Sequence, residues 1–491
     1  MSRLRGRGRV GVAPHEMGAL LTSFLSFALL LACYYILRPV RDALAATVGA
    51  DSIKYLSTAV FVAMLLIVPV FGWLAVRVPR PRLVPGLYAF FILNLGVFAV
   101  AFSHYRDAAA ALDWLARAFY VWVTVFNMFA VSVFWSRMAD VWSEPQGRRY
   151  FGVISAGGSL GGLAGPLLAR TLAAHIAISG LVWISTALLS GALVGLSLLA
   201  RRPAAESARA VPATGVDSAG AVSSTATDSA AAVSATSADS TRAIPATGDD
   251  SAPAVSATTP DSAPAVPATV ADSAPAATAT AAEPTGGAVL EGLWLIGRTP
   301  FLAGIAALVC LSSFLGMIVY IEMARLVAAT LPSAVERTAF YSTRDLWVNA
   351  GAFLLQFFLL GQVARRLGVG PALVTASCVA FAAFVLLGLD PTLAVLTAVS
   401  VTLRCAEFGL AKPARDMLYT VVPPAAKYQS KNAIDTVVYR GSDMASGWIQ
   451  SLIGRLGVGL GDWGWIAAAC SVAFAAAAAL VGRGYRRRGG R

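Results

Sequence analysis

The chain has 491 residues, of which 57% are apolar and 13% are charged, whereas about 25% are charged in an ordinary soluble domain. This composition, with a mean hydropathy of +0.69, excludes a soluble globular class and predicts an integral membrane protein. The formal charge of +12 does not indicate nucleic-acid binding, because much of it lies in predicted membrane loops, where positive residues mark the cytoplasmic side. We therefore expect the lipid bilayer as a partner and no nucleic acid.

Apolar runs of about 20 residues, the length that crosses about 30 Å of hydrocarbon, predict twelve transmembrane helices. They cover residues 17–37, 55–76, 83–103, 114–136, 150–171, 177–199, 301–322, 346–363, 371–389, 392–411, 434–456 and 463–482. The sequence thus predicts an all-α membrane protein of the major-facilitator type, with six helices in residues 1–202 and six in 287–491. The first run follows a basic stretch, but no small-residue cleavage site follows it, so we interpret it as a retained span.

The segment between the halves, residues 203–286, consists mainly of Ala, Ser, Thr, Pro and Asp. Asp-Ser recurs in it every eleven residues, from 217 to 272. An eleven-residue period can indicate a right-handed supercoil. With one Val or Ile per repeat and frequent prolines, however, the composition favours a disordered cytoplasmic linker.

Loop charge predicts the orientation of the first half. Twelve basic residues lie in one set of alternate loops and five in the opposite set. Because positive residues collect on the cytoplasmic side, we expect both termini to be cytoplasmic, in a bacterial-type inner (plasma) membrane.

Signatures of catalysis or metal binding are sparse. The three histidines, His15, His104 and His175, stand far apart, and the sequence contains no C-x-x-C pair and no phosphate-binding loop. The five cysteines all lie in apolar runs, which argues against a disulfide framework. We therefore predict that the protein is not an enzyme and has no cofactor.

Charged residues within spans cost roughly 2.5–3.5 kcal/mol each even on lenient insertion scales, so they mark a cavity or a partner. As bases that could contact an anionic substrate, the candidates are Arg38, Arg41, Arg117, Arg415, Lys431 and Arg440, and Arg404 is a further base within a span. As acids that could couple transport or pair with those bases, they are Asp42, Glu407, Asp416, Asp435 and Asp443. The planar forks of the arginines suit phosphate or carboxylate.

Several candidates have a structural alternative. Arg38 and Arg41 near the end of the first span can extend to lipid headgroups, although that side is short of positive charge. Pro39 between them predicts a broken or kinked helix, as at transporter substrate sites. Two more pairs raise the question of mutual pairing, Arg404 with Glu407 and Asp435 with Arg440. The first pair is three residues apart, so we expect mutual pairing; the second is five apart, so a cavity or an interhelical partner is expected.

Two six-helix halves resemble the major facilitator superfamily, whose halves carry the pattern G-x-L-A-D-R-x-G-R after the second span. The matching residues here are Gly72, Leu74, Ala75, Arg77 and Arg80, with Val76 and Pro79 at the Asp and second Gly positions. The fifth span resembles the G-x8-G-x3-G-P pattern of antiporters in that superfamily, through Gly152, Gly161, Gly165 and Pro166. We favour the alternative that the glycines of this span form a small-xxx-small stripe for close helix packing.

A second resemblance is to the ATP/ADP translocases, nucleotide antiporters distantly related to the major facilitators. Residues 34–42 resemble that family's L-R-x-x-K-D segment at the end of the first span. Residues 412–419, followed by Lys431, Asp435 and Arg440, resemble its D-P-x-K-E-M-x-Y … K-x3-D-x4-R stretch, and residues 134–152 are similar to a third segment.

This resemblance covers most of the chain apart from the linker, and it implies exchange of a nucleoside triphosphate for a diphosphate. It assigns phosphate contacts to Arg41, Lys431 and Arg440, with Arg38 and Arg415 close by. Two positions differ from the family, because Thr124 and Lys412 each stand where the family has an acid.

These features predict a secondary transporter that moves a small anionic solute, in the first place a nucleotide, by alternating access around a basic midplane site. We expect a monomer. One alternative is proton-coupled transport of another solute, with Asp42 or Asp435 as the proton carrier. The other is a non-transporting membrane scaffold whose acidic linker recruits partners.

Overall fold

The computed structural model of the chain describes residues 14–200, 286–355 and 368–489. In the first half the helices are α1 Pro14–Val48, α2 Ile53–Arg77, α3 Arg80–His104, α4 Ala109–Val141, α5 Glu144–Ala173 and α6 Ile178–Ala200. In the second half they are α7 Gly286–Arg298, α8 Pro300–Thr330, α9 Ala334–Leu354, α10 Val369–Leu389, α11 Leu393–Val421, α12 over residues 424–454 and α13 Leu460–Arg487. The predicted linker lies outside the described residues, apart from its last residue.

Twelve of these helices correspond to the twelve predicted spans. Ten helices within the described ranges are long and apolar enough to cross a bilayer, and α9 and α12 occupy the eighth and eleventh predicted positions. The remainder of the predicted eighth span, residues 356–363, is outside the described residues. The predicted fold class, an all-α membrane protein of two six-helix halves, is confirmed.

Three predicted boundaries are wrong in ways that matter for the site. Helix α1 continues through Pro39 to Val48, so Arg38 and Arg41 lie within the helix and the predicted break at Pro39 does not occur. Transmembrane helices tolerate proline because neighbouring helices and local adjustments satisfy the freed backbone groups. Helix α11 likewise extends ten residues beyond its predicted end, to Val421.

The third boundary is the start of α9, which lies at Ala334 and not at 346. A capping box starts the helix, because Ser333 accepts from the amide of Glu336 at 3.1 Å and Glu336 accepts in return from the amide of Ser333 at 3.2 Å. A search for apolar runs passes over this turn because it is polar and charged.

Glycines on α5 allow it to pack closely on α1. A Cβ added to Gly165 would lie 2.7 Å from the Cβ of Tyr35 and 2.8 Å from the carbonyl oxygen of Ala32, and one added to Gly161 would collide with the carbonyl of Ala28. Side chains at these positions would push the two helices apart. The packing-stripe interpretation of the fifth span is therefore confirmed.

Each half has its own apolar core, and the halves meet along α1, α2 and α5 from one side and α8, α9 and α12 from the other. Arg337 at the start of α9 donates to Thr47 at the end of α1 at 2.9 Å. The loops that follow α1 and α8 are therefore on the same side of the molecule, which we call the far side. The opposite side, where α1 starts and α13 ends, is the near side.

Candidate functional site

A cavity of about 140 Å³ lies between the two halves, lined by residues of α1, α2, α4, α8, α11 and α12. Its charged lining residues are Arg38, Arg41, Arg404, Glu407, Arg440 and Asp443. The polar ones include Tyr34, Tyr120, Thr124, Asn127, Ser313, Tyr320 and Tyr439. The structure thus brings together six charges that come from three separate regions of the chain.

Arg41 and Asp42, neighbours on α1, form a pair that is buried between the halves. Asp42 is 1% exposed, and its Oδ1 accepts from Arg41 Nε at 3.0 Å and Arg41 Nη2 at 2.7 Å. Arg41 Nη1 also donates to Thr124 at 3.2 Å, and its guanidinium lies 5.1 Å from the centre of the Tyr120 ring. Tyr320 of the other half donates to Asp42 Oδ1 at 3.1 Å. Arg41 is therefore directed into the interior and not toward the headgroups.

Arg38, one helical turn earlier, forms an ion pair across the halves. It is 5% exposed, and its Nε lies 3.5 Å from Oδ2 of Asp345 on α9. Asp345 is also paired, at 3.0 Å, with the adjacent Arg344, which is 3% exposed at its side chain. Three buried charges from both halves are thus in direct contact beside the cavity.

Arg344 and Asp345 are the main functional candidates that the sequence analysis missed. They fall just before residue 346, where the predicted span began, and so they were assigned to a loop. The capping pattern of Ser333 and Glu336 followed by helical spacing was the signal that could have placed them within a helix.

In the second half, a π-helical turn at Glu407–Ala411 interrupts α11 next to the cavity. Glu407 does not pair with Arg404, as was expected, but accepts from Arg415 at 3.3 Å, because the wider turn changes which side chains face each other. Arg404 has no carboxylate partner within the described ranges; its guanidinium lies 5.9 Å from the centre of the Phe408 ring. The cavity therefore contains a cation that no acid of the described chain neutralises.

On α12 the cavity is lined by Arg440 and Asp443, which lie 3.5 Å apart at Nη1 and Oδ2. Asp443 also accepts a hydrogen bond from Ser313 of α8. A second π-helical turn, Ile434–Val438, precedes them. Such turns occur often at functional sites.

The remaining predicted residues do not line this cavity. Toward the near side, Lys431 donates to Asp416 at 2.8 Å, Arg415 pairs with Glu407, and Asp435 is exposed. On α4, Arg117 pairs with Asp113 at 2.9 Å, nearer the far side. These residues therefore lie outside the cavity wall that contains Arg38, Arg41 and Arg440, although Arg415 is bonded to Glu407 of that wall.

The charged groups in and around the cavity carry a positive surplus. Six arginines, Arg38, Arg41, Arg344, Arg404, Arg415 and Arg440, are connected by ion pairs, electrostatic proximity or the cavity wall to five carboxylates, Asp42, Asp345, Glu407, Asp435 and Asp443. Arginine stays protonated in proteins, so this group has one uncompensated positive charge. A partly buried surplus of this kind favours a bound anion.

The far side of the cavity is closed by contacts between the halves. Lys54 Nζ donates to Ser451 at 2.6 Å, and Trp448 Nε1 donates to Thr58 at 3.0 Å. With the Arg337 contact to Thr47, these bonds join α2 to α12 and α1 to α9.

No protein-family model matches this chain, and no curated protein matches it. Solved structures do match. That of the nucleoside transporter NupG has 12% identity and a TM-score of 0.54, covering 97% of this chain and 99% of its own. A POT family transporter, solved in complex with a thioalcohol-conjugated peptide, has 12% identity and a TM-score of 0.55 over 93% of this chain and 94% of its own.

A bacterial homologue of the human lysosomal transporter Spinster, solved in an inward-facing, unoccupied conformation, matches with 14% identity and a TM-score of 0.50 over 97% of this chain and 98% of its own. At these identities the likeness shows the fold alone. The chain has the fold of the major facilitator type, as its sequence pattern predicted.

Proposed function

We propose that this protein is a secondary transporter that moves an organic anion across the membrane by alternating access of its two halves. The observation that carries the proposal is the position of Arg404, a cation without an acid partner among the described residues, in an inter-half cavity whose charged group has one excess positive charge. Guanidinium groups offer paired donors that match phosphate and carboxylate oxygens.

Contacts between the halves support the alternating-access part of the proposal. Asp42 and Arg38 of α1 are bonded to Tyr320 and Asp345 of the other half, so an anion that competes for Arg38 or Arg41 would loosen the same contacts that hold the halves together. Solute binding and rearrangement of the halves would then be linked through these shared side chains.

Within this class, we propose a nucleotide as the solute, exchanged as triphosphate for diphosphate. Support comes from the resemblance of residues 34–42 and 412–440 to the ATP/ADP translocases, and from the tyrosines among the arginines, whose rings can pack against a base. A cavity of about 140 Å³ is close to the size that holds a benzene-sized molecule. A nucleotide would therefore require the halves to separate on the near side.

The deciding experiment is uptake of labelled ATP into liposomes that contain the purified protein, with and without ADP inside. Nucleotide exchange requires uptake that depends on the internal ADP. If no nucleotide is taken up, the nucleotide proposal is rejected. A ligand-stabilisation screen across phosphorylated and carboxylated metabolites then tests the wider anion proposal, which fails if none of them stabilises the protein.

Proton-coupled transport is the second candidate, because Asp42 Oδ2 is buried and has no hydrogen-bond partner among the described residues. A proton on this oxygen would weaken the pair with Arg41 and so couple protonation to the same inter-half contacts. Uptake driven by a pH gradient, in the absence of any internal solute, would favour this mode over exchange.

A further inference from the structure

A second, smaller cavity of about 20 Å³ lies next to the solute cavity, between α8, α9 and α11. Its lining includes Arg344, Arg404, Ser400 and Tyr320, together with apolar groups of Gly316, Val319 and Leu403. The volume suffices for about one water molecule or one monatomic ion. Because Arg404 and Tyr320 line both cavities, the two adjoin each other.

The polar groups around this cavity are mainly hydrogen-bond donors. Arg344 is 3% exposed, and its Nε has no hydrogen-bond partner in the described part of the chain. Ser400 is also 3% exposed, and its hydroxyl can donate one hydrogen bond. Arg404 has no acid partner among the described residues, and the Tyr320 hydroxyl already donates its proton to Asp42.

This donor set distinguishes between possible occupants. Two guanidiniums would repel a cation. A water molecule needs acceptors for its two protons, and among the lining side chains only Ser400 and Tyr320 carry an oxygen. An anion can accept from Arg344, Arg404 and Ser400 at once, and charge-assisted bonds of this kind are the strong ones.

The charge count supports the same occupant. Asp345 compensates Arg344 at 3.0 Å, but it is shared with Arg38 at 3.5 Å, so the three have a net positive charge before Arg404 is added. Uncompensated buried charge is costly. A single negative ion between Arg344 and Arg404 would compensate the excess positive charge of the central group.

We propose that this small cavity is a binding site for a monatomic anion, chloride under physiological conditions, held by Arg344, Arg404 and the Ser400 hydroxyl. The site is separate from the one for the transported solute, although Arg404 borders both. It does not depend on the proposed transport function, because the argument uses only the charge and the donors of this cavity.

Bromide tests the site directly, since it replaces chloride and scatters anomalously. Crystals of the full chain grown in sodium bromide, without any nucleotide, should show an anomalous peak between the guanidiniums of Arg344 and Arg404. An ordered water with no anomalous signal at this position would overturn the proposal.

Thermal unfolding is the solution counterpart. In sodium chloride or bromide the midpoint should lie about 2 °C above that in sodium gluconate of equal ionic strength, at a halide concentration near 100 times its Kd. Arg404→Gln should abolish this difference, whereas Arg170→Gln, which alters an exposed arginine of α5, should keep it. Equal midpoints for the wild-type protein in all three salts would contradict the proposal.

Ser400→Ala provides a second variant that leaves every ion pair in place. Loss of one hydrogen bond to a charged group should raise the halide concentration for half of the thermal shift about tenfold. An unchanged concentration would remove Ser400 from the site. None of these halide measurements uses a transported solute. A negative result in the nucleotide-exchange assay therefore does not affect the halide proposal, and a negative result in the halide measurements does not affect the transport proposal.

Discussion

At the scale of single residues, the central arginines differ in how they are compensated. Arg38 and Arg41 each have a buried acid within 3.5 Å, whereas Arg404 has none in the described chain. Removing one partner of a buried pair strands the other charge, at a cost of about 3–5 kcal/mol. Substitutions must therefore be chosen so that a folding defect is not mistaken for a transport defect.

We predict that Arg41→Ala with Asp42→Asn in the same chain abolishes solute uptake while the protein still reaches the membrane. The double change removes the cation and leaves no buried unpaired carboxylate behind. Uptake into liposomes, normalised to the amount of protein, measures the effect. Uptake at the wild-type level would mean that Arg41 has only a structural role.

Arg404→Ala should raise the solute concentration for half-maximal uptake tenfold or more. In a halide-free buffer its guanidinium is engaged by neither an acid of the described chain nor a halide, so the loss falls on the solute contact, worth about 1.5–3 kcal/mol for a hydrogen bond to a charged group. Arg170→Ala on the exposed end of α5 is the matched control and should behave as wild type. If both variants have the same half-maximal concentration, Arg404 does not contact the solute.

At the scale of helices, apolar runs sufficed to predict which segments cross the membrane, because a span needs about 20 apolar residues whatever its neighbours are. Apolar runs did not predict helix boundaries correctly where charged residues are buried by contact with another part of the chain. Arg344 and Asp345 are too polar to extend an apolar run, and their burial is explained by the ion pair with Arg38, some 300 residues earlier. The predicted pairing of Arg404 with Glu407 is wrong because it assumed a regular α-helix, and no sequence pattern predicted the π-helical turn at this position.

The close packing of α1 on α5 gives a prediction at this scale. Gly161→Ala should destabilise the protein by about 1–3 kcal/mol, the usual range for overpacking, because the added Cβ meets the Ala28 carbonyl. Gly86→Ala on α3, where a Cβ meets nothing within 4 Å, should be neutral or slightly stabilising. Thermal unfolding of the two variants in one detergent compares them, and equal midpoints would contradict the packing argument.

At the scale of the whole molecule, the far-side bonds between the halves set which conformation is populated. Thr47→Val with Ser451→Ala removes two acceptors of inter-half bonds, each worth about 1 kcal/mol, and should increase the population that is open on the far side. Distance measurements between spin labels on the loops after α1 and α8 report this shift. Thr171→Val, whose hydroxyl bonds only within α5, should leave the distances unchanged.

The acidic repeat segment, residues 203–286, gives a second prediction at this scale. Replacing residues 203–286 with a short Gly/Ser connection should leave uptake by the purified protein unchanged, since every charged group of the cavity lies outside that segment. Retained uptake together with loss of a cellular phenotype would assign the segment a separate recruiting role. Loss of uptake at normal protein levels would contradict a passive connection.

The two π-helical turns have a mechanical consequence. Each inserts one residue beyond what a regular helix would hold, which rotates everything on one side of the turn by about 100° relative to the other. If the turn at Glu407–Ala411 became regular α-helix, Arg415 would rotate about the axis of α11 relative to Arg404. If the turn at Ile434–Val438 did so, Lys431 would rotate about the axis of α12 relative to Arg440. Neither change requires a span to unfold. Deleting Leu410 should convert the π-helical turn of α11 into regular α-helix. The distance between the Glu407 and Arg415 side chains in a structure of that variant would show whether the extra residue sets their relative orientation.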